Sequence, residues 1–447
     1  MGQQDVKKVL KKEGTWLISN EIAKKAGYSL KSIQSSLRRL VKWGHVEKKP
    51  ASKVISEEKR LKDRSFAGFA YKLKEYKTIS DQKFDDKKVL LLTDLISIKT
   101  IKELYLANNI KLAILPHTEK NIQTYVDVLS SKLNKKITFI SDIFSKETEN
   151  KLKNIKPGQI ILFDNISNLK EERKENSPKK QSKSKLVKTL VPHFEYFIND
   201  AFSISHKAYA SSVGFSYSLP SFIGRNFQKN LETLQNFKNL KSSITFVLGG
   251  TKSLDLIKLM EVNNKKQHKF LLTGPFSHLA LKEIGTKLGN PEKTLKQFNL
   301  KSNKNFKNFL KNSTNISLPK DLALSTLGNR DEITLKDFPV YQNIHDLGKE
   351  TIKDYESLIL KSKVVFFKGL PGNYREENFH TGTETLLSAL ARTKAEVYLV
   401  GKETMGALKY FNIAPEKFKF VSKNSDPVIT YLTQGTLPVL EALKEKI

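Results

Sequence analysis

Within residues 30–42 the apolar side chains Leu30, Ile33, Leu37, Leu40 and Val41 recur at helical spacing, which points them inward. The same geometry turns Lys31, Ser32, Gln34, Ser35, Arg38 and Lys42 outward, with Arg39 beside them. Hydroxyl, amide and guanidinium groups on one helix face suit contacts to phosphate oxygens and to base edges in a major groove. These residues therefore point to recognition of a nucleic acid.

The flanking elements are those needed to present such a helix. Val6, Val9 and Leu10 form a short apolar stripe, and I-S-N-E-I-A-K-K-A-G predicts a second helix that stops at Gly27, with Ser29 as the N-cap of the third. Gly44 ends that helix, H-V-E-K-K is a short strand, and the alternation from Ala67 to Leu73 predicts a returning strand. The layout resembles the winged-helix domains of archaeal and bacterial transcription regulators. Its wing would run from about Pro50 to Phe66 and carry Lys53, Lys59, Arg60, Lys62 and Arg64. Residues 1–76 hold 19 basic against 8 acidic side chains, a footprint for a polyanion. DNA is the first expectation, ahead of ribosomal or other RNA, with protein docking as the remaining reading.

The whole chain shares this bias. With 78 Lys and Arg against 46 Asp and Glu, its formal charge is +32, which implies nucleic acid, a ribosome or a phosphorylated metabolite as partner, or else a generally lysine-rich proteome. Cysteine is absent, so disulfides, thiolate metal sites and cysteine nucleophiles are excluded, and with 8 His no metal site is expected. No apolar run approaches the roughly 18–20 residues of a membrane span, and the first residues lack a signal-peptide pattern, so a cytoplasmic protein with no membrane partner is expected. At 447 residues the chain needs two or three cores.

Beyond a polar linker from Lys77 to Asp86, apolar strands alternate with helical stretches. Val89–Ile96, Lys111–Leu115, Ile137–Ile140, Gln159–Phe163 and Phe194–Ile198 form a first set; Ile244–Leu248, Phe270–Leu272, Ile316–Leu318, Lys363–Phe367, Val397–Val400 and Phe418–Val421 form a second. Alternation of this kind predicts α/β architecture with two doubly wound parallel sheets, one in residues 77–240 ending in a hinge helix and one in 241–447. The charged, Ser-rich stretch Leu169–Lys188 reads as a solvated loop or helix face.

Four segments fall in one order along these lobes: I-N-D-A-F-S-I-S-H-K-A-Y-A-S-S-V-G at Ile198–Gly214, V-L-G-G-T-K at Val247–Lys252, D-L-G-K-E-T at Asp346–Thr351 and F-F-K-G-L-P-G at Phe366–Gly372. Together they resemble phosphoglycerate kinases, over roughly Asp85 to Ile447. The resemblance implies a first lobe that binds 3-phosphoglycerate, with Asp94, His117, Lys120, Asn199, Asp200, His206 and Lys207 at substrate positions. It implies a second lobe that binds magnesium with ATP or ADP, with Gly249, Gly250, Lys252, Gly369, Gly372, Glu403 and Thr404 at nucleotide positions. The T-Q-G-T-L-P-V-L-E-A-L-K ending implies a C-terminus that returns to the first lobe.

Departures from the family pattern are equally specific. Ile96 replaces an Asn, a segment with a substrate-clamping Arg is deleted, Lys120 and Lys207 replace Arg, Ser167 replaces another Arg, and Tyr209 replaces a His. In the second lobe Leu256 stands where the resemblance places a phosphoryl-contacting Lys, Arg375 where it places a ribose-binding Glu, and S-K-N-S-D-P at Ser422–Pro427 where it places a glycine loop. Lysine lacks the bidentate fork of arginine, a Cβ obstructs backbone approach to phosphate, and Asp426 adds negative charge. The expectation is a kinase-like protein of impaired or lost activity, binding nucleotide weakly and acting in nucleic-acid-linked regulation. An active kinase with an appended module and a structural ribosome- or nucleoprotein-associated protein are the alternatives.

Overall fold

The computed structural model describes residues 3–42, 46–55, 68–73, 76–95, 97–106, 109–118 and 121–444. The chain divides into two compact units, Met1–Glu232 together with Thr436–Ile447, and Thr233–Gly435.

At the start of the first unit, helix α1 (Gln3–Glu13), strand β1 (Leu17–Ile18), helices α2 (Ser19–Ala26) and α3 (Leu30–Lys42), strand β2 (Val46–Pro50), helix α4 (Ala51–Val54) and strand β3 (Phe69–Leu73) follow one another. The strands form an antiparallel sheet in the order β1-β3-β2. Gly27 ends α2 by taking a left-handed φ of 72°, and the hydroxyl of Ser29 accepts the Ser32 N–H at 3.4 Å where α3 begins. Val6, Leu10, Ile22, Ile33, Leu37 and Leu40 close a core of their own. Leu30 departs from the expected inward stripe and is 40% exposed. Helical side chains lean toward the N-terminus, so the first residue of a helix has no preceding turn to cover. Lys31, Gln34, Ser35, Arg38 and Arg39 are exposed and Ser32 is half-buried. The side chain of Lys42 and the residues Lys59, Arg60, Lys62 and Arg64 lie outside the described residues.

The rest of the first unit is built on a parallel sheet of β4 (Lys88–Thr93), β5 (Lys111–Pro116), β6 (Ile137–Ile140), β7 (Ile160–Phe163), β8 (Tyr196–Asn199) and β9 (Ser221–Ile223) in the order β6-β7-β5-β4-β8-β9. Leu90 and Leu92 of β4 enter one face core, Val89 and Leu91 the other. Burial on both faces explains why these strands read as continuous apolar runs. The stretch Leu169–Lys188 is solvated only in part: its lysines are exposed, but Glu172, Gln181, Leu186 and Val187 are buried. Its charge hides short 3₁₀ and α turns, at Lys170–Arg173, Pro178–Gln181 and Lys185–Leu190, that present isolated residues inward.

The second unit carries β10 (Ile244–Leu248), β11 (Lys269–Leu272), β12 (Ile316–Ser317), β13 (Asp321–Thr326), β14 (Asn329–Thr334), β15 (Ile344–Leu347), β16 (Val364–Lys368), β17 (Glu396–Val400) and β18 (Phe420–Ser422). Six of them form a parallel sheet in the order β12-β11-β10-β16-β17-β18, while β14-β13-β15 form a separate antiparallel sheet absent from the sequence expectation. β14 reads N-R-D-E-I-T and is exposed at alternate positions, so it carries little apolar signal.

In both parallel sheets the chain changes direction of winding at one place. In the first unit this lies between β4 and β8, and in the second between β10 and β16. A switch of this kind opens a crevice beyond the carboxyl ends of the two strands, where open α/β sheets bind ligands.

Candidate active site

The first unit places its sequence-predicted residues at that edge. Asp94 follows β4, His117 follows β5, and Asn199 and Asp200 end β8. Most are engaged in holding the fold. Asp200 accepts the backbone N–H groups of Asn226 at 2.8 Å and Phe227 at 3.0 Å, anchoring the first turn of the helix Arg225–Lys238. Asn199 donates to the Ser212 carbonyl and accepts from the Ala201 N–H, and Asp94 accepts from the Ser203 N–H. Burial raises the Asp200 carboxyl to about 7 against the hydrogen bonds that lower it, with the nearby Asp94 charge adding to the rise.

A second group gathers around His117. Its ring stacks on Tyr209 at 6.3 Å, and its Nε2 lies 4.0 Å from Glu172 Oε2. Glu172 is 3% exposed and accepts both the backbone N–H and the hydroxyl of Ser211, at 2.8 and 2.5 Å. Burial lowers the His117 imidazole to about 4 and raises the Glu172 carboxyl to about 7, so near neutral pH the pair is a neutral ring beside a half-titrated acid. Sequence reasoning missed Glu172 because it sits in the charged stretch taken as solvated. Lys207 is half-buried and paired with Glu175 at 2.9 Å, and His206 is half-buried as well. Ser167 helps close a turn, donating to the Thr118 carbonyl beside the bonds between Asn165 and Thr118. Lys120 and Ile96 lie outside the described residues.

The second unit gathers its predicted residues more tightly. Beyond the ends of β10, β16 and β17 is a cavity of about 430 Å³, lined by Gly250, Lys252, Gly369, Gly372, Glu403 and Thr404 among others. Gly249 backs it, its N–H donating to the Lys368 carbonyl at 2.7 Å. Gly369 takes φ +95°, and a Cβ there would overlap the Gly249 backbone, so only glycine lets the two strand ends meet. Lys252 is held by both Asp426 oxygens at 2.6 and 2.5 Å. Glu403 pairs with Arg375 at 2.9 Å, and the buried Thr404 hydroxyl donates to the Val400 carbonyl. Leu256 is fully buried, so this position faces the core rather than the cavity. The D-L-G-K-E-T segment also turns inward: Asp346 accepts from the Gly382 N–H and pairs with Arg330, and the Thr351 N–H donates to Asp321.

One cavity residue was passed over as a motif spacer. Lys368 ends β16, is 7% exposed, and lines the cavity beside the glycine turn. Burial lowers its ammonium to about 8, reinforced by Lys252 and opposed by Asp426 and Asp255. Its signal in the sequence is a charge closing the otherwise apolar strand V-V-F-F-K.

Among the described residues no helix is long and apolar enough to cross a membrane. A family model described as phosphoglycerate kinase matches residues 77–435. The phosphoglycerate kinase of Methanothermus fervidus is 31% identical over 365 residues, covering 78% of this chain and 87% of the relative. Phosphoglycerate kinase 1 of Methanosarcina acetivorans is 30% identical over 403 residues, covering 83% and 96%. The crystal structure of phosphoglycerate kinase from Pyrococcus horikoshii superposes with a TM-score of 0.73 at 26% identity, covering 83% of this chain and all of that one.

These likenesses overturn the expectation of a protein that has lost its kinase and acts in nucleic-acid-linked regulation. Relatives matched over about four fifths of the chain are named as the kinase itself, and the family match begins at residue 77, after the N-terminal helices, which none of these likenesses ties to DNA or RNA. The physical reason is that a missing side chain is not always a lost charge: Asp426 is neutralised by Lys252, and the cavity holds a further lysine, Lys368.

Proposed function

Because the chain belongs to the phosphoglycerate kinase family, we propose that it is a working phosphotransferase, moving a phosphoryl group between ATP and 3-phosphoglycerate. A carboxylate oxygen of 3-phosphoglycerate attacks the γ-phosphorus, the bond from that phosphorus to the β–γ bridging oxygen breaks, and ADP leaves. The carboxylate is already ionised and the product is an acyl phosphate, so no proton is transferred. A neutral His117 fits that chemistry, since no general base is required. The observation that carries this reading is the family match, which takes in both six-stranded sheets and the polar clusters at their carboxyl edges.

Catalysis of this kind depends on positioning and charge rather than covalent steps. In the second unit Gly249 and Gly369 let the two strand ends pack against each other beneath the cavity and Gly250 leaves open space above them, while Lys252, paired with Asp426, stands at the start of the helix Ser253–Val262. In the first unit His117, Asn199, Asp200, His206 and Lys207 are assigned to the phosphoglycerate side, with Asp94 and Asp200 as positioning residues.

Family members use the nucleotide with magnesium, which neutralises phosphate charge. Among the described residues no group of three His, Asp or Glu side chains could cage a cation alone. Glu403, on the cavity lining, fits the usual pattern of one carboxylate completing a shell made largely of substrate phosphate and water.

For residues 1–76 the winged-helix reading is proposed as architecture only, on the order of helices and strands and the β1-β3-β2 sheet. The test of the activity is a coupled assay of phosphoryl transfer from 1,3-bisphosphoglycerate to ADP by the full-length protein. A rate constant in the ordinary enzyme range of roughly 1–10³ s⁻¹ is expected. Folded protein without turnover above background would refute it.

A further inference from the structure

Lys368 is a buried ammonium that the activity just described does not use. Among the described residues no carboxylate, carbonyl or hydroxyl holds it, although it is 7% exposed. The side chain is buried, but its Nζ is not among the fully enclosed polar atoms, so the ammonium reaches into the cavity that Lys368 lines. Lys252, on the same cavity, is occupied by the carboxylate of Asp426, so that pair presents no net charge. A Cβ built on Gly250 would stand 3.6 Å from Lys368 Nζ, so the ammonium lies directly over the glycine turn that ends β10. That turn and the end of β16 are the two sides of the switch point in the sheet.

We propose that Lys368 is the principal cation for the phosphate chain of the nucleotide, supplying the charge that Lys252 gives up to Asp426. The ligand it takes is the terminal phosphates of a nucleoside di- or triphosphate. The open side of Gly250 admits the oxygens and the ammonium meets them from the strand end. In the transfer step the same contact offsets negative charge on the β-phosphate as its bond to the γ-phosphorus breaks. This assignment rests on the kinase reading for the identity of the ligand, and on the cavity alone for its charge.

The test is calorimetric titration of full-length protein with ADP, AMP and inorganic tripolyphosphate, comparing wild type with Lys368→Met and Lys252→Met. A charge-assisted hydrogen bond is worth roughly 10- to 150-fold in affinity. Lys368→Met is expected to lose that factor for ADP and tripolyphosphate while AMP binding changes less than about twofold; Lys252→Met is expected to lose less. Methionine is close to lysine in length and removes an unpartnered charge, so the variant should melt no lower than wild type. If it fails to fold, Lys368→Gln is read in the same way. ADP affinity in Lys368→Met within twofold of wild type, equal losses for ADP and AMP, or wild type that binds no tripolyphosphate would each overturn the assignment. Turnover measured alongside separates the two claims. Wild type that binds tripolyphosphate through Lys368 but transfers no phosphoryl group sinks the kinase and keeps the cation, whereas undiminished turnover in Lys368→Met does the reverse.

Discussion

The two parallel sheets share a winding scheme, yet they treat polar groups at their carboxyl edges in opposite ways. In the first, Asp94, Asn199, Asp200 and Glu172 are buried and hydrogen-bonded to backbone or serine, so the polar edge is folded into the protein. In the second, glycines let the strand ends pack closely together, and a lysine lies over the Gly250 turn with no hydrogen-bond partner among the described residues. The lesson is that matching residue types at an edge says little about ligand contact until each group's hydrogen bonds are accounted for.

The strongest way to break the contrast is to fill the bare edge. Gly369→Ala combines a positive φ with a Cβ driven into the Gly249 backbone. It should cost roughly 2–5 kcal/mol by denaturant unfolding and abolish ADP binding. Full stability with unchanged binding would show that the strand ends are not held together as described.

A smaller effect distinguishes the buried acids of the first sheet. The Glu172 carboxyl titrates near 7 in the folded chain against an ordinary 4.5, so the native state binds the proton more tightly and the stability this gives is present below about 4.5 and lost as pH rises to about 7. Glu172→Gln should therefore gain on wild type across that window, by about 3 kcal/mol, and keep a constant difference above it. Lys368 gives the counterpart at higher pH. Its ammonium is lowered to about 8, so wild type should recover stability relative to Lys368→Met between about 8 and 10.5. Parallel pH profiles for either pair would remove the burial argument for that edge.

The smallest expected change sharpens the picture of the cavity. Asp426→Asn releases Lys252 from a half-exposed pair, which should tighten ADP about two- to fivefold and alter stability by less than about 1 kcal/mol. Weaker binding would mean that Asp426 contributes to the nucleotide site directly.

These contrasts also mark what was legible in the sequence. Runs such as L-L-L at the heart of β4 and V-V-F-F of β16 announce strands buried on both faces, and the glycines Gly249, Gly250 and Gly369 mark where the strands end at the cavity. β14 was not legible, because a solvated antiparallel edge needs few apolar residues. Glu172 was hidden by its charged neighbours, since one buried carboxylate among solvated ones leaves no periodic trace. Lys368 escaped for the opposite reason: comparison with a family motif directed attention to the residues that were replaced, not to what replaced them. Leu256 shows the same limit, because its burial follows from how its helix packs rather than from its place in a motif.

The first unit is made of two stretches of chain, with Leu437, Val439, Leu440 and Leu443 buried in it and the Val439 N–H donating to the Ser205 carbonyl at 3.5 Å. The second unit is one continuous stretch, Thr233–Gly435. During synthesis the order of translation and the order of completion must then differ. Residues up to 232 emerge first but lack the apolar side chains that the C-terminal stretch adds to their finished interior, while everything the second unit needs has left the ribosome once Gly435 is clear. The unit translated first is the last to be sealed, and until then its nascent form carries an apolar gap that a chaperone can hold or a neighbouring nascent chain can fill wrongly.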